Sequence, residues 1–222
     1  MENKSFWDKK AITRKGPENP VVKAFIEDKI ESLLNIVPHL NKKSLLDFGC
    51  GNGRFLYYLQ KINRRVAGLD ISSKMIEMAK KNVNVPLFVN DGLKTRFEDN
   101  SFDISFGACY IHNLTNYKDA INEMKRVAKG YIILIEPNPL NPIIFLFNLF
   151  SPEERFFHVV KFNKRYLKKL FEEAELEVIY LSKGGFITPN KTPKFLLPIL
   201  KKIGFLNFIG CYITIVGKKH ES

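Results

Sequence analysis

The sequence predicts an α/β protein built on a doubly wound sheet, and three observations carry that reading. Short apolar runs alternate with stretches of helical periodicity along most of the chain. The first strong run, Leu45-Leu46-Asp47-Phe48, leads into Gly49-Cys50-Gly51-Asn52-Gly53, which sets glycines at alternate positions on a strand-to-helix turn. A second acidic residue, Asp70, closes the next apolar run roughly 20 residues on, the distance a ribose-binding carboxylate needs.

The elements follow in order. Residues 20–37 carry helical periodicity, with Pro20 near the start and Val22, Phe25, Ile26, Ile30, Leu33 and Leu34 on one side. Strands are expected at 44–48, 66–70, 86–90, 102–106 and 131–135, separated by helices near 53–61, 73–82 and 117–128. A helix near 163–174, a strand near 176–182 and a last strand near 208–217 complete the pattern. Asp103 stands at the start of its strand, away from the carboxyl ends where open sheets bind ligands, and reads as structural. A chain of 222 residues fits one domain with insertions better than two domains. Two stretches, 137–162 and 183–207, exceed what connections require and are too apolar for disorder. Both follow strands, so they are expected to build a helical cap over the substrate.

A dinucleotide loop would place a third glycine where this chain has Arg54, and Asp47 would repel a diphosphate at the loop entrance. An acidic entrance suits a cofactor that carries positive charge. S-adenosylmethionine (SAM) has an ammonium and a sulfonium and no phosphate.

The segments LLDFGCGNGRF (45–55), VAGLDIS (66–72), FVNDGL (88–93), FEDNSFDISFGACYIHNLTN (97–116) and KRVAKGYIILIEPNP (125–139) run in order over about two thirds of the chain. In these the chain resembles the class I SAM-dependent methyltransferases, within the broad type 11 group. The resemblance implies a Rossmann-like seven-stranded sheet whose last strand is antiparallel, with helices on both faces. It implies that Asp47 and the backbone of Gly49, Gly51 and Gly53 hold the methionine end of SAM. Asp70, with Ile71 beside it, would take the ribose, Asp91 with Gly92 would read the adenine, and Gly107 and Cys109 would close the methionine side. S-adenosylhomocysteine would be the product. Residues 1–40 would form an N-terminal helical lid, with Phe6 and Trp7 over the site. Taken singly, Asp70 could cap the helix near Ser72 and Asp91 could form a turn; their joint occurrence after successive strands favours the cofactor reading.

His112, just after the fourth strand, is the candidate general base, because histidine is the side chain most suited to proton transfer near neutrality. The competing reading is that it hydrogen-bonds to fix its loop. His158 lies in the first insertion, and Glu136 ends the fifth strand, where it either orients an acceptor or anchors a turn. Methyltransferases of base amino groups carry an acidic or amide residue, prolines and an aromatic after the fourth strand. This chain has Gly107-Ala108-Cys109-Tyr110 there, which argues against nucleic acid.

The apolar insertions point instead to a hydrophobic acceptor, lipid, isoprenoid or quinone-like, with peripheral contact to a membrane surface as one option. Core packing and a dimer interface compete with that option. An RNA or protein methyltransferase and a non-catalytic SAM-binding protein stay open, as does the oligomeric state. A net charge of +12 admits nucleic acid, an anionic membrane or a solvated lysine-rich surface, and the lysines scatter beside carboxylates as the last requires. The N-terminus has no signal-peptide core and no window is long enough to span a membrane, so a cytoplasmic location is expected. Cys50, Cys109 and Cys211 lack paired spacing, and reduced thiols without a metal are expected.

Overall fold

The computed structural model describes residues 4–142, 144–145, 161–189, 192–202 and 210–220. Phe147 and His158 of the first insertion lie outside the described residues. Seven strands form one sheet in the order β3-β2-β1-β4-β5-β7-β6. They are β1 (Leu45–Phe48), β2 (Val66–Asp70), β3 (Leu87–Val89), β4 (Phe102–Ala108), β5 (Ala128–Pro137), β6 (Leu176–Gly184) and β7 (Tyr212–Lys219). The first five pair in parallel, and β7 runs antiparallel between β5 and β6. This is the Rossmann-like sheet with the reversed last strand that the resemblance implies.

Helices cover both faces. On one side α2 (Pro20–Ile36), α3 (Arg54–Ile62) and α4 (Ser73–Asn82) bury Phe25, Ile26, Phe55, Leu56 and Ile76 against Ile104, Phe106 and Ile133. On the other, α5 (Tyr117–Val127) and α6 (Lys164–Glu173) bury Ile121, Met124, Leu167 and Phe171 against Leu46, Ile132, Leu134 and Ile215. Burial on both faces is why the central strands read as continuous apolar runs rather than alternating ones. Strand order reverses beside β1, so its carboxyl end opens at the switch point where such sheets hold ligands.

A helix α1 (Lys4–Thr13) precedes α2 within the 1–40 segment expected to be helical, although only Ala11 of it is buried and its sequence shows no amphipathic period. One element departs from expectation. The last strand begins at Tyr212 rather than near 208, because Gly210 crosses the backbone of Gly184 so closely that a Cβ would lie 2.4 Å from the Gly184 nitrogen. A short helix α7 (Leu197–Lys202) lies within the second insertion.

Asp103 is structural, as its position suggests. Its carboxylate accepts from the Ser44 backbone at 2.7 Å and hydroxyl at 2.9 Å, and its own N–H donates to the Ser44 hydroxyl. Burial opposes its charge, but the Ser44 bonds with Lys43 and Arg65 hold the carboxyl below the ordinary range. A depressed folded value contributes stability that is present above the unfolded value and lost as pH falls through the folded one. Asp103→Ala should therefore destabilise the protein by about 1 to 3 kcal/mol at neutral pH. Denaturant titrations should show that difference shrinking in acid.

Candidate active site

Asp47, near the carboxyl end of β1, is 2% exposed. The chain then takes left-handed conformations at Gly49 (φ 70°), Gly51 (φ 55°) and Gly53 (φ 77°), which explains glycine at alternate positions. The curled loop turns its backbone toward β2, and the Gly51 N–H donates to Asp70 Oδ2 at 2.9 Å. The other Asp70 oxygen accepts from Ser72 N, also at 2.9 Å. Gly53 caps α3 against Ala79 of α4, with 3.2 Å left for a Cβ, so it supplies the close helix packing for which a dinucleotide fold uses its third glycine.

Two desolvated acids thus lie close enough to repel each other at the ends of β1 and β2. Burial, then the charge of Asp70, pushes the Asp47 carboxyl well above the ordinary range. Burial also raises Asp70, against the opposing pull of the Ser72 and Gly51 N–H groups and Arg14. The Cys50 thiol is pushed well up by burial and by both acids, so it stays protonated. Asp47 accepts no hydrogen bond among the described residues. Such a pair repels phosphate and fits a ligand with ammonium and sulfonium charge.

The segment between α1 and α2 lies across the loop like a strap. Lys15 O accepts from Asn52 Nδ2 at 3.1 Å and from Arg54 Nε at 2.8 Å, Pro17 O accepts from the Tyr58 hydroxyl at 2.9 Å, and Glu18 accepts from the Tyr57 hydroxyl at 2.7 Å. Asp8 of α1 accepts from the Ser72 hydroxyl at 2.5 Å. Arg54, the residue in the dinucleotide glycine's place, is a strap anchor; burial and Arg14 lower its guanidinium to about 9.

On the next rim, Ile71 is half-buried and Asp91 is exposed, with Asp91 Oδ1 accepting from Leu93 N at 3.0 Å. Gly92 (φ 73°) donates to Asn90 Oδ1 at 2.7 Å. The buried ring of Tyr110 packs here. A Cβ would lie 2.7 Å from that ring at Gly49 and 3.2 Å from it at Gly107, and 2.3 Å from its hydroxyl at Gly92. These three glycines seat Tyr110, whose hydroxyl reaches Asp91 O at 3.4 Å. Burial, with Asp91 next, raises its phenol. Cys109 takes a left-handed conformation (φ 53°), stabilised by its N–H on Ile135 O at 2.8 Å and by Asn113 Nδ2 on its carbonyl at 2.8 Å.

The turn after Cys109 presents His112. Its Nδ1 lies 2.5 Å from Glu136 Oε2, and its side chain is 12% exposed. Glu136 is fully buried at the end of β5, where Oε1 accepts from Tyr110 N at 3.0 Å and Ile111 N at 2.9 Å. The carboxylate therefore fixes the whole turn and one ring nitrogen of His112 together. An Nδ1–H donated to Glu136 leaves the Nε2 lone pair as an acceptor, the arrangement of a carboxylate-oriented base.

The geometry gathers Asp47, the glycine loop and Asp70 at the ends of β1 and β2, with Asp91, Gly92, Gly107, Cys109 and His112 along the adjoining strand ends. Sequence reasoning missed Asp8, Arg14, Asn52 and Tyr110. Asn52 sat inside the motif, but no local pattern ties the other three to the loop.

Residues 46–134 match the family model described as a methyltransferase domain. The chain is 31% identical over 175 residues to the demethylmenaquinone methyltransferase of Staphylococcus aureus (strain JH9), a match covering 73% of the chain and 67% of that relative. Among solved structures, a SAM-dependent methyltransferase of Thermotoga maritima superposes with a TM-score of 0.68 at 18% identity, covering 90% of this chain and 92% of the other. Magnesium protoporphyrin IX methyltransferase of Synechocystis PCC 6803, solved with bound SAM, superposes with a TM-score of 0.62 at 14% identity, covering 99% and 93%.

SAM affinity should fall as pH drops through the raised Asp47 value, above the range where ordinary aspartates titrate, because the protonated acid no longer faces a cation. Asp47→Asn should bind SAM roughly 10- to 100-fold more weakly, as for loss of a charge-assisted contact, with a flatter pH profile. Calorimetry across the acid range checks both. Superimposable profiles for the two proteins would contradict the assignment.

Proposed function

The chain belongs to the class I SAM-dependent methyltransferases, and we propose that it methylates a hydrophobic small molecule of the quinol or phenol type. In this reading His112 is the general base and Glu136 its positioning residue. The His112–Glu136 contact carries the proposal: a histidine needed only to fix its loop would not require a second, fully buried carboxylate oxygen devoted to its ring.

SAM bound here would supply an already activated methyl group, with S-adenosylhomocysteine as the product. The protein must then place the acceptor in line and deal with its proton. His112 Nε2 takes the hydroxyl proton of the acceptor, and Glu136 stabilises the resulting imidazolium through Nδ1. Asp47 and Asp70 would hold the cofactor's amino-acid and ribose portions, Asp91 and Gly92 would flank its adenine, and α1 with the strap would form the lid. Orientation of this kind can contribute about 7 to 11 kcal/mol, and general-base help adds roughly 100- to 10,000-fold.

A hydrophobic acceptor is supported by topology and by likeness. The two apolar insertions leave from Pro137 and Gly184, and both residues pair with Tyr212, so the insertions emerge on one rim of the sheet beside Glu136. The relative at 31% identity acts on a quinone, as its name states. Leu140, Phe195 and Ile199 are 64%, 77% and 58% exposed on the described parts of these insertions, flanked by exposed Lys194 and Lys202. Such a fringe suits docking at an anionic lipid surface. No helix among the described residues is long and apolar enough to cross a membrane.

His112→Ala should lower turnover at saturating SAM by at least about 100-fold while changing S-adenosylhomocysteine affinity by less than about threefold. Glu136→Gln keeps the acceptor for Tyr110 N and Ile111 N but turns a donor toward Nδ1, which forces the proton onto Nε2. It should match His112→Ala in turnover with an unchanged melting midpoint. The double variant should be no worse than either single one; additive losses would contradict a shared role. Separately, Phe195→Ser with Ile199→Ser should reduce cosedimentation with anionic vesicles and leave cofactor affinity intact, because both side chains are exposed.

A further inference from the structure

Two enclosed polar atoms beside the glycine loop have no hydrogen-bond partner among the described residues: Arg14 Nε and Asn52 Oδ1. Both belong to the strap and the loop it covers. Asn52 is 1% exposed, and its amide orientation is set because Nδ2 faces the Lys15 carbonyl, which can only accept. Its orphan oxygen is therefore an acceptor, while the orphan of Arg14 is a donor. The Arg14 guanidinium stands over Gly51, 3.6 Å from where a Cβ would be. It faces Asp70 and Cys50 and is repelled by Arg54.

Leaving a buried donor and a buried acceptor unmet costs the desolvation of each, so buried polar atoms in folded proteins are nearly always paired. Two orphans of opposite sense flanking one glycine call for a ligand with both an anionic and a cationic end. The strap that carries Arg14 does not swing freely, since Asn52, Arg54, Tyr57 and Tyr58 all hold it down. Arg14 is thus held in place at the loop.

We infer that Arg14 is the carboxylate anchor of the cofactor, its Nε donating to the α-carboxylate of the amino-acid end of SAM. Asn52 Oδ1 is the matching acceptor for the ammonium on the same carbon. The inference rests on SAM as cofactor and is independent of the acceptor. It also gives the strap a function: one residue couples lid position to the charged end of the cofactor.

The test is calorimetric and needs no turnover. Wild type and Arg14→Gln are titrated with S-adenosylhomocysteine, with decarboxylated SAM, which lacks only the carboxylate, and with 5′-methylthioadenosine, which lacks the amino-acid end. Arg14→Gln should weaken S-adenosylhomocysteine by about 10- to 100-fold. It should leave decarboxylated SAM and methylthioadenosine within about threefold, and wild type should itself disfavour decarboxylated SAM. Equal loss for all three would make Arg14 a mere strap anchor, and unchanged or tighter S-adenosylhomocysteine binding would make it a bystander or a plug. Each of these results overturns the inference. Wild type that binds methylthioadenosine but not S-adenosylhomocysteine also overturns it, while wild type that binds none of the three would bring down the cofactor reading itself.

Discussion

The constraint on which the rest of this molecule depends is the burial of two carboxylates, Asp47 and Asp70, side by side at the carboxyl ends of β1 and β2. Neither acid is neutralised by a direct ion pair among the described residues. Desolvation and mutual repulsion disfavour their charge, and the structure offsets part of that cost with backbone dipoles. The Gly51 and Ser72 N–H groups both point at Asp70, the first because the loop curls through left-handed glycines and the second from the turn that follows β2. Loop shape, glycine spacing and preference for a cationic cofactor thus have one electrostatic origin.

A third buried acid repeats the device on the reaction side. Glu136 ends β5 without exposure and meets the N–H groups of Tyr110 and Ile111 as well as the His112 ring. Tyr110 then links the two halves, because its ring fills the space left by Gly49, Gly92 and Gly107. Any shift of the His112 turn would press on the ends of β1 and β4 and on the turn after β3 together. The glycine loop and the proposed base are mechanically one unit, mounted at the switch point of a sheet buried on both faces.

Much of this was legible in the sequence where the relevant physics is local. Strands and helices announced themselves by period, and α4 begins and ends where its pattern does, because Ser72 caps it and the chain turns extended at Val83. Asp47, the glycines and Asp70 were legible because charge and chirality are written in residue type. What local pattern could not carry was tertiary pairing. Helix α1 shows no amphipathic face, and Asp8 on it, like Arg14 just after it, acts at a single point rather than along a stripe. Glu136 was read as an acceptor contact or a turn anchor; its contact with His112 joins two strand ends that neither segment reveals alone. Gly92 and Gly107 were assigned to the cofactor, and nothing local foretold that they make room for Tyr110.

A crystal structure of the protein with S-adenosylhomocysteine tests the central claim most directly, because it reads where the two buried acids point when the cleft is filled. The account predicts the ribose hydroxyls within hydrogen-bond distance, about 2.5 to 3.2 Å, of Asp70, and the ammonium facing Asp47. Cofactor bound elsewhere, or bound at this loop with both carboxylates turned away from it, would contradict the claim that a buried acid pair defines the site.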